Sequence, residues 1–311
     1  MIYLDNSATT KVHDKALEIV NVYSKTKYFN PSALYKGAIE VGKDIISARK
    51  QIANCLDCES DEVFFNSGGS EANNTAIFGA VKNTKGNIIA TKGEHLSVYA
   101  PIMELKNRGF EIRFANLNAD GKADIKHIES LADNNTVFAS IIHAGNETGA
   151  LNDIKTISAI CKAANPSCIV HSDGVQAYLK RGFSVKSLGV DMYSISGHKV
   201  HCPKGIGALY IKKGLKINPV IYGGEQESGT RAGTENTANI IAFGEVSEIL
   251  YGSIQERAKH CKTLKDSFIS ILNDSLSGFI INSNGSDNLE NILSISIEGV
   301  KSDIIIRLMS E

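Results

Sequence analysis

Short apolar runs alternate with longer stretches of helical period along most of the chain. Runs of strand length fall at Val63-Phe64-Phe65, Asn87–Thr91, Glu111–Ala115, 136–143, 169–171, 191–195 and Gly207–Ile211. Helical spacing covers 13–25, 37–56, Ser70 to about Lys82, 96–108, 124–132 and Ile154–Ala164. In 37–56 the apolar stripe is Ile39, Ile45, Ile46, Ala48, Ile52 and Ala53. A short strand is expected at Ile2-Tyr3-Leu4, ahead of a polar turn. Beyond Arg231 the pattern predicts one long helix over about 237–273, a strand within 291–297 and a helix from Ser302 to Glu311. Apolar strands alternating with helices predict an α/β fold, a mostly parallel sheet sandwiched by helices.

Ligands of such sheets bind at the C-terminal ends of the strands. Polar clusters around Ser70, His95, Asn146, Asp173 and Lys199 each fall at or soon after such an end. Any one of them also fits a capped helix or a plain loop; five together fit a site. After Val63-Phe64-Phe65 come Asn66-Ser67-Gly68-Gly69-Ser70-Glu71 and a helix. A strand, a glycine turn and a helix N-terminus form a phosphate cradle, with Ser70 as cap or phosphate ligand. The stretch follows neither the Walker nor the G-x-G-x-x-G pattern.

Ser194-Ile-Ser-Gly-His-Lys199 ends in one lysine after a buried strand. Desolvation there removes the proton from an amine, and a free amine attacks a carbonyl carbon. That chemistry invites an aldehyde cofactor, for which pyridoxal 5'-phosphate (PLP) is the usual choice. PLP needs a carboxylate on its pyridine nitrogen. Asp173 is the candidate, 26 residues before the lysine (199 − 173). A helix starting at Asp173 would set Gln176 one turn on, within reach of the phenolic oxygen. His95 could stack on the ring and move protons. Ser196 and His198, beside the lysine, could hold phosphate oxygens.

Composition narrows the class. The chain has 311 residues, 42% hydrophobic and 22% charged, which suits a large α/β domain with a smaller one. A formal net charge of −1 gives no basic surface for nucleic acid or an anionic membrane. No apolar stretch approaches the ~20 residues that span a bilayer, and the N-terminus has no leader pattern. Six cysteines include Cys55-Leu-Asp-Cys58, which lacks the second pair or histidine pair of a zinc site, so no metal is expected. Free thiols and a cytoplasmic location are expected.

The motifs resemble the cysteine desulfurase family, PLP enzymes of fold type I in the class-V aminotransferase group. They are Tyr3-Leu-Asp-Asn-Ser-Ala-Thr-Thr10, Asn30-Pro-Ser32, Ser67-Gly-Gly-Ser-Glu-Ala-Asn-Asn74, Glu94-His95 and Asn146-Glu-Thr-Gly149. His171-Ser-Asp-Gly-Val-Gln176, Ser196-Gly-His-Lys199, Pro203-Lys-Gly-Ile-Gly207, Gly223-Gly-Glu-Gln-Glu227 and Arg231-Ala-Gly-Thr-Glu-Asn236 follow in family order. The resemblance implies that Lys199 carries PLP covalently and that His95 stacks on it as acid and base. It implies Asp173 on the pyridine nitrogen, Gln176 on the phenolic oxygen, and Asn146 near that oxygen and the substrate carboxylate. Ser70, Ser196 and His198 would bind phosphate. Thr234 would reach the phosphate of a second subunit, which implies a homodimer. The implied reaction takes sulfur from L-cysteine, leaves L-alanine, and passes the sulfur as a persulfide to iron–sulfur scaffolds or other acceptors.

The resemblance also implies a large PLP-binding domain over 14–245 and a small α+β domain from 1–13 and 246–311. In the family the persulfide cysteine and the arginine that clamps the substrate carboxylate lie beyond the position of Glu311. The small domain is therefore expected to be incomplete and desulfuration by these residues impaired. Three local departures stand out: Ser70 for threonine, Gly145 for asparagine, and Cys202 for glycine. Cys202 is the chain's own candidate for a substitute thiol. A selenocysteine lyase, an aminotransferase of the same group, and a non-catalytic scaffold with this fold are the alternatives.

Overall fold

The computed structural model describes residues 2–81, 86–283, 285 and 287–309. Helices α1 (Asp14–Lys25) and α2 (Lys36–Leu56) precede the main sheet. Its strands are β1 (Val63–Asn66), β2 (Asn87–Thr91), β3 (Glu111–Ala115), β4 (Thr136–Ser140), β5 (Ile169–Asp173), β6 (Met192–Ser196) and β7 (Gly207–Ile211). Between them lie α3 (Gly69–Ala80), α4 (Leu96–Asn107), α5 (Ile125–Leu131), α6 (Ile154–Ala164) and α7 (Val185–Leu188). After the sheet come α8 (Thr237–Tyr251), α9 (Ile254–Ser275), β8 (Phe279–Ile281), β9 (Ile295–Ile297) and α10 (Ser302–Leu308). Strands β8 and β9 form a separate antiparallel pair.

The seven strands lie in the order β1-β7-β6-β5-β4-β2-β3. Strand β7 runs antiparallel to β1 and β6, and the other pairs are parallel. Since β1 and β6 both oppose β7, the C-terminal ends of β1, β6, β5, β4 and β2 share one end of the sheet. Every residue of β2, β6 and β7 is buried, as continuous apolar runs require. One face packs Ile45, Ile52 and Leu56 of α2 and Phe243 of α8 on Val170 and Ile195. The other packs Ala76 and Ile77 of α3 and Ile102 of α4 on Ile88, Phe138 and Leu209.

The structure corrects several expectations. Ile2-Tyr3-Leu4 is not a strand: Ile2 is 87% and Leu4 68% exposed, and no ladder partner lies beside them among the described residues. Instead the segment is irregular, and the Tyr3 hydroxyl donates to the carbonyls of Asp5 and Thr9 on either side of the turn at 6–8. The long helix after residue 237 is two helices. It breaks at Gly252-Ser253, where the Ser253 hydroxyl and Arg257 guanidinium both donate to the Leu250 carbonyl. Strand β4 stops at Ser140: beyond it Ile141 and His143 N–H still reach the His171 and Asp173 carbonyls of β5, but Ile142 N–H turns to the Glu94 carboxyl instead of a strand. Within 291–297 only Ile295–Ile297 is strand; Ile292 packs instead on Ala144, Leu151 and Ala177. Ile39 and Ile46 of α2 face outward, at 47% and 54% exposure, while Ala38 and Val41 take the inner stripe. The expected end of α3 at Lys82 and the last two residues, 310–311, of the helix expected from Ser302 to Glu311 lie outside the described residues.

Helix α8 lies against α2 at Gly244. A Cβ there would meet Ala48 Cα at 2.6 Å and Gln51 Oε1 at 2.7 Å. Ala48 Cα is backbone and cannot swing aside. Gly244→Ala is expected to cost roughly 1–3 kcal/mol, as overpacking does. Urea unfolding measures it, and a midpoint equal to wild type would contradict the packing described.

Candidate active site

At the shared end of the strands lies a cavity of about 930 Å³. Ser70, His95, Asn146, Asp173, Gln176, Ser196, His198 and Lys199 all line it. The eight come from the ends of five strands, adjacent in the sheet except where β7 intervenes. Thr234 is the exception. It is exposed and borders a separate hollow of about 200 Å³ with Arg231 and Glu235.

The anion cradle is built by close backbone approach. Gly68 has φ +144°, a left-handed conformation that favours glycine. A Cβ on Gly69 would lie 2.8 Å from Val175 Cγ2, and one on Gly207 would lie 2.7 Å from Gly68 Cα. Gly68, not Ser70, is the N-cap of α3, and Ser70 stands exposed in its first turn. The cap region is tied down from the side: Asn66 Oδ1 accepts Gly68 N–H at 2.9 Å and Glu71 Oε2 accepts Ser67 N–H at 2.9 Å. Arg231 donates to Glu71 at 2.9 Å, holding that carboxyl below its ordinary value despite its burial. Ser196 Oγ is buried in the cavity wall without a hydrogen-bond partner. Lys204 also lines the cavity. A buried hydroxyl without a partner, beside a helix N-terminus with its positive dipole end, fits a phosphate.

Asp173 ends β5 and is buried. Its Oδ1 accepts Val175 N–H at 3.0 Å and its Oδ2 accepts Asn73 Nδ2 at 2.7 Å. Burial nonetheless raises its carboxyl, so two hydrogen bonds do not replace lost water. A cationic ring nitrogen would supply the missing partner. Lys199 Nζ donates to the carbonyls of Ser7 at 2.5 Å and Ala8 at 2.7 Å. Burial lowers its affinity for a proton, while Asp5 and Asp173 oppose that shift. His198, pushed down to about 4 by burial and by Lys199, Lys204 and Lys180, is neutral at pH 7. It can therefore offer a phosphate a hydrogen bond but no charge.

Two residues that sequence reasoning passed over shape Gln176. It sits in a turn rather than the helix expected after Asp173. Its Nε2 donates to Ser7 O at 2.8 Å and its Oε1 accepts Lys180 Nζ at 2.9 Å. Burial, then Lys199 and Arg257, push the Lys180 amine down to about 7. Asn73 and Ser97, which tie Asp173 to His95, were also missed. Signals for them existed: Lys180 follows Gln176 by four positions, and Ser97 follows His95 by two.

Cys202 does not reach the site. It is fully buried, its thiol is pushed above its ordinary value by burial, and it does not line the cavity. All six cysteines are free, and none of them lines the cavity among the described residues. No group of metal-ligating side chains and no helix long and apolar enough to cross a membrane occurs among the described residues.

The fold and this lysine-centred cavity define the class-V aminotransferases, PLP-dependent enzymes, and the chain belongs to that family: its sequence pattern matches residues 2–311. Among named relatives, cysteine desulfurase IscS of Dictyoglomus turgidum is 37% identical over 308 residues, covering 98% of this chain and 78% of the relative. A solved NifS-like protein superposes with a TM-score of 0.96 at 34% identity, over 99% of this chain and 85% of its own. SspA in complex with cysteine superposes at 0.85 with 31% identity, over 100% and 87%.

Glu94, next to His95, gives the site a pH-dependent test. Its Oε1 accepts from Thr91 Oγ1 at 2.8 Å and Ile142 N–H at 3.1 Å, while Oε2 is buried without a partner. Burial pushes this carboxyl up to about 8, from an ordinary 4.5. A raised folded-state value favours the protonated fold. Its stabilising contribution is full below pH 4.5 and is lost as pH climbs through about 8. Wild type should therefore lose stability relative to Glu94→Gln over that window, by up to roughly 1.4 kcal/mol per pH unit. Urea unfolding across the window reads the difference, and a constant offset would contradict the assignment.

Proposed function

We propose that the cavity holds PLP on Lys199 and acts on L-cysteine as a cysteine desulfurase, yielding L-alanine and thiol-bound sulfur. One observation carries this reading: a desolvated lysine, a buried carboxylate and a glycine-built anion cradle face one cavity. The names of the relatives support the substrate. When bound, PLP draws electrons from the substrate Cα and so acidifies its proton.

The chain's own residues do the rest. Asp173 would hold the pyridine nitrogen and Gln176 the phenolic oxygen, with Asn146 near that oxygen and the substrate carboxylate. Ser70, Ser196 and His198 would hold the phosphate. Lys199, once displaced by substrate, is the base at Cα, because burial favours its neutral amine. His95 lines the cavity as the second group able to exchange protons or hydrogen bonds. Thr234, on its own surface, would complete the phosphate site of a second copy, making a homodimer. Residues 14–245, with the seven-stranded sheet, would form the cofactor domain. Residues 1–13 and 246–311, with the β8–β9 pair, would form the smaller one.

The sulfur step needs a thiolate that attacks the substrate sulfur. None of the six cysteines lines the cavity, so the thiol would have to come from outside these 311 residues. Iron–sulfur scaffolds in a reducing cytoplasm fit as final acceptors. These 311 residues alone should bind PLP and turn over L-cysteine slowly, and an added small thiol should accelerate release of alanine and sulfide. Lys199→Ala should abolish the cofactor's absorbance and lower turnover by about 100-fold or more. Cys202→Ala should change neither. Fast turnover without added thiol that disappears in Cys202→Ala would overturn the sulfur step. Conversion of the cofactor to its amine form, with a keto acid released, would favour an aminotransferase.

A further inference from the structure

His95 is joined to Asp173 by a chain of hydrogen bonds through two residues with no role so far. Asn73, fully buried on α3, donates one Nδ2 proton to Asp173 Oδ2 at 2.7 Å and the other to Ser97 Oγ at 2.8 Å. Ser97 Oγ lies 2.8 Å from His95 Nδ1, and Ser97 N–H donates to the same nitrogen at 3.1 Å.

The direction of each bond follows from the first. An ionised carboxylate only accepts. The reverse Asn73 amide would set an oxygen 2.7 Å from a carboxylate oxygen, so the NH₂ faces Asp173. Both of its protons are then committed. Ser97 Oγ accepts one of them, which leaves its own proton for His95 Nδ1. That nitrogen thus receives two donors, a hydroxyl and a backbone N–H. In a neutral imidazole one nitrogen accepts and the other carries the proton. The proton must sit on Nε2.

We propose that Ser97 and Asn73 are positioning residues that fix His95 in the Nε2–H tautomer, with Asp173 as the anchor. The histidine then offers the cavity a hydrogen-bond donor rather than a lone pair. Lys199 is left as the base at the substrate Cα. This rests on the desulfurase reading for its consequence in turnover, but the tautomer itself does not depend on that reading. The arrangement costs no extra elements, because Ser97 N–H is a first-turn donor of α4 that needs an acceptor, and His95 is the N-cap that supplies it.

The test is ring-¹⁵N NMR on the histidine-labelled chain, with the His95 signals identified by their loss in His95→Gln. Wild type should show a pyridine-like Nδ1 and a pyrrole-like Nε2. Ser97→Ala should move both signals toward the average of the two tautomers, and Ser97→Thr, which keeps the hydroxyl, should restore them. A pyrrole-like Nδ1 in wild type, or signals unmoved by Ser97→Ala, would overturn the proposal. In turnover assays Ser97→Ala should lower kcat about tenfold with KM little changed, and have no further effect in a His95→Gln background. Equal loss in both backgrounds would show a merely structural role for Ser97. A wild type that never turns over L-cysteine would sink the desulfurase reading, and the NMR result would still decide the tautomer.

Discussion

A carboxylate buried at the end of β5 governs the site. Removing Asp173 from water costs free energy that must be offset by donors or a cation. The fold supplies two donors, Val175 N–H and Asn73 Nδ2, and leaves the face toward the cavity for a third partner. The parallel register of β5 and β6, with Asp173 opposite Ser194, sets how far Lys199 lies from it along the next strand end. The tie through Asn73 and Ser97 then fixes where His95 points. Three groups from three strand ends are held in one arrangement by the requirement to satisfy one buried charge.

The lysine is held from an unexpected direction. Its ammonium donates to the backbone of Ser7 and Ala8, from the N-terminal turn, which the sheet itself does not require. That turn also accepts from Gln176. The same short segment therefore covers the cavity and occupies two groups that a cofactor would engage. On the proposed reading, binding would exchange these backbone contacts for contacts to the cofactor, so that neither the amine nor the amide is left without a partner before it arrives.

Much of this was legible in the sequence. Continuous apolar runs of strand length predict a sheet covered on both faces, and the polar residues just past each run mark its ligand end. Lys199, Asp173, His95 and the Gly68-Gly69 turn could be chosen on that ground because their chemistry is visible in the residue type. Periodicity does not say which remote group arrives as partner. Lys180 taking Gln176, Asn73 joining Asp173 to Ser97, and the burial of Cys202 depend on contacts between distant segments. The strand expected at Ile2-Tyr3-Leu4 failed for the same reason. Three apolar residues satisfy a local pattern, but a strand also needs a neighbour to pair with. Thr234 lies outside the cavity of its own chain, beside a separate hollow.

The most direct test of the lysine-centred cavity is to add PLP to the purified chain, reduce the adduct with borohydride, and map the modified peptide by mass spectrometry. Lys180 and Lys204 lie close by and provide an internal control, since either amine could react if the site were only a basic cleft. The account predicts one pyridoxyl group per chain, on Lys199. Modification spread over Lys180 and Lys204, or absent from Lys199, would contradict it.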